Sequence, residues 1–179
     1  SKFSNLMRKI LPNSQHAFIT LESELSIIEL YLDLEAERFE SQYTYALSID
    51  PSLDTERLLV PSMVIQPHIE NAIWHGLLNR KDEYGQLNIQ LTTTDDALEW
   101  RIRDNGVGRQ KAAQLQQERT ETHPKYQSAG TRLTEKRLAL LSQKTKKMYA
   151  VEVFDLKDAQ GEPSGTEVKI TMAKTHHQS

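Results

Sequence analysis

A run near the middle of the chain, residues 66–76, carries polar side chains at helical spacing and reads QPHIENAIWHG. On an α-helix, Asn71 and His75 share a face, whereas Glu70 lies about 100° round the axis from Asn71. A carboxamide such as that of Asn71 can offer a hard oxygen to Mg²⁺, which in turn bridges phosphates. Taken alone, such a run is more often structural, with a buried asparagine bonded to backbone and a histidine at a helix end.

A second run, residues 104–108, reads DNGVG and follows directly after a predicted strand. The Asp104 carboxylate could accept a hydrogen bond from the exocyclic amine of adenine, and Gly106 and Gly108 would let the backbone approach a ligand or hinge a lid. In isolation, Asp-Asn-Gly is an ordinary turn.

Two further signals lie towards the carboxyl end of the chain. The run SAGTRL at residues 128–133 enters a predicted helix from a loop, and the free N–H groups at such a helix start suit phosphate. Gly165 and Thr166 open the last predicted strand, where a plain turn is the default interpretation. Each signal is weak, but four of them in a fixed order are much harder to obtain by chance.

The elements that must position these runs follow from periodicity and turn chemistry. A short helical piece over 4–11 ends at Pro12, and a long amphipathic helix over about 21–40 is capped by Thr20. Two more helices are predicted over 63–78 and 131–144. The predicted strands are 43–49, 87–93, 98–103, 151–156 and 167–172, with turns at 94–96 and 161–165.

Residues 109–127 form a long polar segment without apolar periodicity, which predicts a mobile lid. Helices and strands are mixed along the chain, but hairpins dominate the predicted sheet. The order therefore predicts an α+β fold, a two-layer sandwich with helices on one face of a mostly antiparallel sheet.

Composition narrows the class of protein. A chain of 179 residues with a mean hydropathy of −0.61 suits one soluble domain. The absence of cysteine excludes disulfides and cysteine-ligated zinc, and a formal charge of −3 with scattered basic residues argues against nucleic acid as a partner. No apolar run approaches the roughly 18 residues that span a bilayer, so we expect a cytoplasmic domain that is not inserted in a membrane.

The four runs, in this order, resemble the N, G1 and G2 boxes and the terminal Gly-Thr of the GHKL superfamily, whose Bergerat fold binds ATP. More narrowly, L-x-x-E-L at 21–25, Y-L-x-x-E-x-x-R-F at 31–39 and P-x-x-x-x-Q-P-x-x-E-N-A-x-x-H-G at 61–76 are similar to the LytS/YehU-type sensor histidine kinases. The resemblance covers nearly all of residues 4–172.

The resemblance implies a site for ATP and Mg²⁺ and a role for each matching residue. Asn71 would ligate Mg²⁺, His75 would lie near the phosphates, and Glu70 would face either the incoming phosphoacceptor or solvent. Asp104 would bind adenine with support from Thr166. The pocket mouth and the phosphate contacts would come from Gly106, Gly108, Gly130 and Thr131.

Three departures from the family pattern bear on activity. GHKL ATPases carry a glutamate four residues before the asparagine, and this chain has Pro67 there, so hydrolysis should be poor. Trp74 stands where many histidine kinases have lysine, which puts one phosphate contact in doubt. Ser128, Thr131 and Leu133 replace the usual glycine, leucine and asparagine, which predicts a looser lid.

In the family that this chain resembles, the phosphorylated histidine lies upstream, in a P-H-F-L-F-N-like run of a dimerisation helix. None of the six histidines here stands in such a run. Pro67-His68 imitates its start but continues as the N box, and we interpret His68 as a helix surface residue. Residues 1–15 are accordingly predicted to be the carboxyl end of the dimerisation region, and 16–179 the catalytic domain.

The function expected from this resemblance is transfer of the γ-phosphoryl of Mg·ATP to a histidine on the upstream dimerisation helix of a homodimer, with a response regulator downstream. The full-length parent would be anchored in the bacterial inner membrane. A GHKL ATPase or an anti-sigma-type serine kinase shares the same boxes, although the helix at 21–40 argues against both. A catalytically silent nucleotide-sensing scaffold is the alternative from another class, suggested by Trp74 and the altered lid.

Overall fold

The computed structural model describes residues 1–39, 42–82, 84–119 and 129–176. The α-helices within these ranges are α1 Lys2–Asn13, α2 Leu21–Arg38, α3 Gln66–Asn71, α4 Arg109–Arg119 and α5 Ala129–Thr145. A π-helical turn, Ala72–Gly76, and a 3₁₀ turn, Leu77–Asn79, continue α3 without a break. The helical segment begins later than position 63, where the sequence predicted it, because Met63 has φ 61°, a left-handed conformation that no α-helix contains.

The two amino-terminal helices pack against each other. Thr20 caps α2 as predicted, its side chain accepting a hydrogen bond from the Ser23 N–H at 3.2 Å. The expectation that Pro12 ends α1 was wrong, because Pro12 lies inside the last turn. There it removes only one backbone donor, and the helix ends one residue later. Leu6 of α1 is buried in the main core, and Lys2 bonds to Glu37 of α2.

The strands form two sheets. Their bounds are β1 Phe18–Thr20, β2 Tyr43–Ile49, β3 Leu58–Pro61, β4 Gly85–Thr93, β5 Ala97–Asp104, β6 Ala150–Lys157, β7 Pro163–Ala173 and β8 Thr175–His176. The larger sheet has the order β2-β4-β5-β7-β6, with β2 and β4 parallel and the other pairs antiparallel. A small sheet of order β1-β3-β8 was not predicted, since its strands are too short to show alternation.

Alternation along the central strands places one face of the large sheet against the helices. Leu87, Ile89 and Leu91 of β4 are buried, as are Trp100 and Ile102 of β5. The buried residues of α2 and of the helical segment after position 65 complete the same core. This arrangement confirms the predicted α+β sandwich with a mostly antiparallel sheet.

The predicted lid corresponds in part to a regular element. Residues 109–119 form α4, although the sequence showed no apolar periodicity there. Glutamine, glutamate, lysine, arginine and alanine are all good helix formers, so intrinsic propensity stabilises a helix that buries little apolar surface. Residues 120–128, among them Ser128 of the third run, lie outside the described residues.

Among the described residues, no helix is both long enough and apolar enough to span a membrane.

Candidate functional site

A cavity of about 340 Å³ opens where β5 and β7 meet the helical segment from Gln66 to Asn79. It brings together six of the residues predicted from the sequence: Asn71, His75, Asp104, Gly108, Thr131 and Thr166. These residues come from four separate parts of the chain. A cavity of this size with a few polar groups is typical of a small-molecule site.

Asp104 is the buried charge of this cavity. It ends β5 directly opposite Thr166 of β7, and its Oδ1 accepts a hydrogen bond from the Gly106 N–H at 2.8 Å. Burial raises the pKa of the Asp104 carboxyl to about 6, while the backbone hydrogen bonds from Gly106 and Thr166 lower it by less. The carboxyl is therefore held in one orientation, at the inner end of the cavity.

The turn after Asp104 packs closely on the end of the π-helical turn. The Val107 N–H donates to the Gly76 carbonyl at 3.3 Å. A Cβ atom on Gly76 would lie 2.7 Å from Asp104 Oδ1, and one on Gly106 would meet the same oxygen at 2.7 Å. Both positions exclude a side chain. Gly106 thus shapes the site from behind Asp104, without lining the cavity itself.

Asn105, between these residues, has a structural role. Its Oδ1 accepts from the Gln86 N–H at 2.7 Å and its Nδ2 donates to the Tyr84 carbonyl at 2.9 Å. The side chain thereby joins the turn to the start of β4. Of the Asp-Asn-Gly run, only the aspartate points towards the cavity.

Asn71 and His75 present one helical face to the cavity, as their spacing predicted. Asn71 is half-buried, and within the described ranges no hydrogen bond involves its carboxamide. The pKa of His75 is lowered by burial, an effect that the nearby Glu70 charge opposes. At neutral pH His75 is therefore an uncharged ring beside a carboxamide that is available to a ligand.

Glu70 and Trp74 lie on another face of the same segment. Glu70 is exposed and does not line the cavity. Trp74 packs edge-on against Phe39, with ring centroids 5.0 Å apart, and the Arg38 guanidinium lies 5.1 Å from the Trp74 ring. Trp74 therefore joins the segment to the end of α2, and its side chain does not line the cavity.

Helix α4 covers one side of the cavity with Arg109, Ala112, Ala113 and Gln116. Arg109 also forms a bidentate ion pair with Asp155 of β6, both N···O distances being 2.7 Å. Sequence reasoning missed these residues because it treated the segment as irregular. Their spacing of three or four residues is the helical signal that could have found them.

The first two turns of α5 form the opposite side of the cavity, through Thr131, Arg132 and Glu135. Gly130 lies behind this surface, where an added Cβ would be 3.3 Å from Pro67 Cβ. The predicted phosphate-binding turn thus borders the cavity, but Gly130 serves the packing of α5 on α3.

The interpretation of His68 as a surface residue was wrong. It is 3% exposed and lines the cavity. Helix α5 covers the side of α3 that the isolated helix would expose. The missed signal is helical spacing, because His68 precedes Asn71 by three residues and His75 by seven, so that all three share a face.

Comparisons with known proteins find similar sequences among histidine kinases. A family model described as histidine kinase matches residues 1–43. Sensor protein LytS of Staphylococcus haemolyticus is 34% identical over 107 residues, and LytS of Bacillus subtilis is 30% identical over 107 residues. Each of these matches covers 60% of this chain but only 18% of the relative.

Solved structures share the fold. The mycobacterial sensor histidine kinase MprB superposes with a TM-score of 0.56 at 18% identity, covering 90% of this chain and 99% of that one. The catalytic domain of histidine kinase ThkA gives a TM-score of 0.55 at 9% identity, covering 89% and 97%.

The fold is therefore that of the histidine kinase catalytic domain, the GHKL type of α+β sandwich. In sequence, the chain is similar to LytS sensor proteins over 60% of its length and to the histidine kinase family model over residues 1–43.

Proposed function

We propose that this domain binds Mg·ATP in the cavity and transfers the γ-phosphoryl group to a histidine on an upstream dimerisation helix. The observation that carries the proposal is the buried Asp104 carboxylate, held at the inner end of a cavity whose outer walls carry Asn71, His75 and the first turn of α5. The two ends of the cavity suit the two chemically different ends of ATP.

Asp104 would bind the adenine amine. The Gly106 and Thr166 N–H groups bond to the carboxyl, and because its two oxygens together have about four acceptor positions, it can still accept a hydrogen bond from a ligand. An exocyclic amine is a donor of the required kind, and Thr166, opposite Asp104, also lines the cavity. Apolar walls for a flat base come from Ile102, Val153 and Val168.

The phosphates would lie between α5 and the helical segment that carries Asn71. The first turn of α5 offers backbone N–H groups and the positive end of a helix dipole. Thr131 and Arg132 line the cavity at this turn, and Arg132 supplies a cation. His75 lies on the facing wall.

Asn71 fits the role of a metal-binding residue. Mg²⁺ in nucleotide sites takes few ligands from protein and the rest from phosphate and water, so a single unengaged carboxamide oxygen is an appropriate donor. When bound, Mg²⁺ would neutralise the charge of the phosphates during transfer.

Transfer rather than hydrolysis is favoured by the residues around the phosphate end. Pro67, at the position where GHKL ATPases carry a water-activating glutamate, packs against Gly130 and has no group to accept a proton. Glu70 is exposed next to Asn71, where it could face an approaching phosphoacceptor. The catalytic work of the domain is then positioning and charge neutralisation.

The remaining parts of the proposal concern the longer protein. The chain spans 18% of the LytS relatives' length, and a sensor, a dimerisation helix and a membrane anchor would belong to the rest. The dimerisation helix of a homodimer would supply the histidine, and a response regulator would accept the phosphoryl group from it. The domain described here would act on the cytoplasmic side.

The experiment is incubation with ATP labelled at the γ-phosphate, followed by mass spectrometry for acid-labile phosphohistidine. The 179-residue chain alone should bind Mg·ATP but acquire no phosphohistidine, and a longer protein that includes the upstream helix should acquire it there. Stoichiometric phosphorylation of any of the six histidines of this chain would overturn the proposed division of labour. Failure to bind Mg·ATP would overturn the proposal as a whole.

A further inference from the structure

Helices α3 and α5, which form opposite walls of the cavity, meet along one stripe of α5. Gly130, Thr134 and Arg137 are spaced four and three residues apart and therefore share a face of the helix. Gly130 lies against Pro67, as described, and Arg137 Nη1 donates to the Ser62 carbonyl at 2.6 Å. These two contacts hold the stripe at its ends.

The middle of the stripe is a polar pair. Thr134 Oγ1 lies 3.4 Å from His68 Nε2, and both residues are 3% exposed. Thr134 also donates to the Thr131 carbonyl at 2.8 Å. A threonine hydroxyl has one hydrogen, which this bond uses, so His68 Nε2 must be the donor to Thr134.

This assignment determines the chemical state of the ring. A neutral imidazole that donates through Nε2 carries no proton on Nδ1. Burial lowers the pKa of His68 to about 4, so the ring is neutral at pH 7. Burial therefore disfavours the charged ring, in which both nitrogens would carry a proton.

We propose that His68 is a positioning residue: as the neutral Nε2–H tautomer it clamps the first turn of α5 to α3. Each residue of this pair lies close to a wall of the cavity. Thr134 hydrogen-bonds to Thr131, which lines the cavity, and Asn71 follows His68 by three residues on the same helical face. The clamp thereby sets the separation between the two walls of the cavity.

The importance of this separation for nucleotide binding rests on the proposed function. If Thr131 and Arg132 contact phosphates while Asn71 binds the metal that those phosphates share, an error in the separation weakens both contacts together. The clamp itself is independent of any ligand and can be measured without one.

The first measurement is the nitrogen NMR spectrum of the His68 ring at pH 7 in the chain without nucleotide, because the two ring nitrogens of a neutral tautomer differ strongly in chemical shift. A protonated Nε2 and an unprotonated Nδ1 are expected. A ring protonated on Nδ1 alone, or on both nitrogens, would overturn the proposal.

The second measurement is amide hydrogen exchange over residues 133–137, whose N–H groups bond within α5, again without nucleotide. His68→Leu and Thr134→Val should each speed exchange of these amides by about 5- to 10-fold, the effect of losing one buried hydrogen bond. Their combination should be no worse than the more damaging single change, since both remove the same contact. Thr145→Val is the control, because that hydroxyl donates to Leu141 at 2.7 Å, at the far end of α5.

Rescue distinguishes the clamp from simple packing. His68→Gln can place an amide donor near the position of Nε2, whereas His68→Leu fills the space without one. Exchange near wild-type rates for glutamine but not for leucine supports the clamp. Equal exchange in both variants, or additive effects of His68→Leu and Thr134→Val, contradicts it.

Calorimetry with Mg·ATP then connects the clamp to the site. The two single variants should weaken affinity by about 5- to 10-fold, and His68→Gln should weaken it less. Full affinity in variants that show faster exchange would contradict the positioning role. If the wild-type chain itself bound no nucleotide, the proposed function would fail, while the tautomer and the exchange data would still decide the clamp.

Discussion

The Asp104 carboxylate and the backbone of Gly76 are in contact: a single Cβ atom on Gly76 would lie 2.7 Å from Asp104 Oδ1. The two residues belong to different runs of the sequence, one at the end of the π-helical turn and one at the end of β5. Their contact holds the buried carboxyl against the segment that carries Asn71, so the two ends of the proposed nucleotide site lie on closely packed segments.

Asp104→Asn should weaken Mg·ATP binding about 10- to 150-fold, the effect of about 1.5 to 3 kcal/mol. The substitution preserves size, so Gly76 is not crowded. Because the oxygen of the new amide must accept from the Gly106 N–H, its NH₂ group would face the adenine amine, donor against donor. Calorimetry measures the loss, with Asp95→Asn in the exposed turn between β4 and β5 as the control. Unchanged affinity in a folded variant would remove Asp104 from the site.

The affinity for Mg·ATP should also depend on pH through Asp104. In the free protein burial raises the pKa of Asp104 to about 6, whereas a bound amine donor favours the ionised form. Binding therefore requires loss of a proton below pH 6, and affinity should fall by up to tenfold for each further pH unit. Asp104→Asn should flatten the profile between pH 5 and 7. A wild-type affinity that is constant over this range would contradict the assignment.

Asn71→Ala should impair nucleotide binding in the presence of Mg²⁺ while leaving metal-free binding nearly intact. The reason is that the carboxamide is proposed to contact the metal and not the base. Parallel titrations with ATP and Mg²⁺, and with ATP and a chelator, make the comparison. Equal losses under the two conditions would show that Asn71 acts in another way.

Trp74→Leu should lower the free energy of unfolding by about 1 to 2 kcal/mol, because it removes the edge-on contact with Phe39 and the stacking of Arg38. Affinity for Mg·ATP should stay within about twofold, since Trp74 does not line the cavity. Chemical denaturation and calorimetry on the same preparation separate the two effects. A large loss of affinity at unchanged stability would place Trp74 in the site after all.

Glu24→Gln should change how stability depends on pH. Glu24 of α2 is fully buried, and burial raises the pKa of its carboxyl to about 7, while the Met63 amide and the Arg137 charge lower it by less. For a group whose pKa is raised by folding, the stabilisation is complete below the unfolded value near 4.5 and is lost as pH rises through about 7. The loss should amount to roughly 3 kcal/mol.

Urea denaturation at a series of pH values tests this expectation. Glu24→Gln should remove most of the decline between pH 4.5 and 7, leaving a smaller slope near pH 6 from Asp104. Glu22→Gln, an exposed change in the same helical turn, should leave the decline as it is in the wild type. A wild-type stability that does not fall with rising pH would contradict the prediction.

Local signals in the sequence were sufficient for the long elements and for several residues that line the cavity. The capped helix after Thr20 and the hairpin of β4 and β5 follow from periodicity and turn residues, because side chains repeat at fixed intervals on a helix or a strand. The four runs of polar and small residues identified Asn71, His75, Asp104 and Thr131, and the structure brings these residues to one cavity.

What the sequence could not determine is which face of each element is covered, because this depends on partners distant in the chain. His68 is polar and lies on a helix, which favoured an exposed position. In the structure, α5 covers it. Trp74 occupies a position associated with phosphate, yet Phe39, thirty-five residues earlier, decides the direction in which it packs. Periodicity indicates which residues share a face of an element, but only tertiary packing determines which other residues that face contacts.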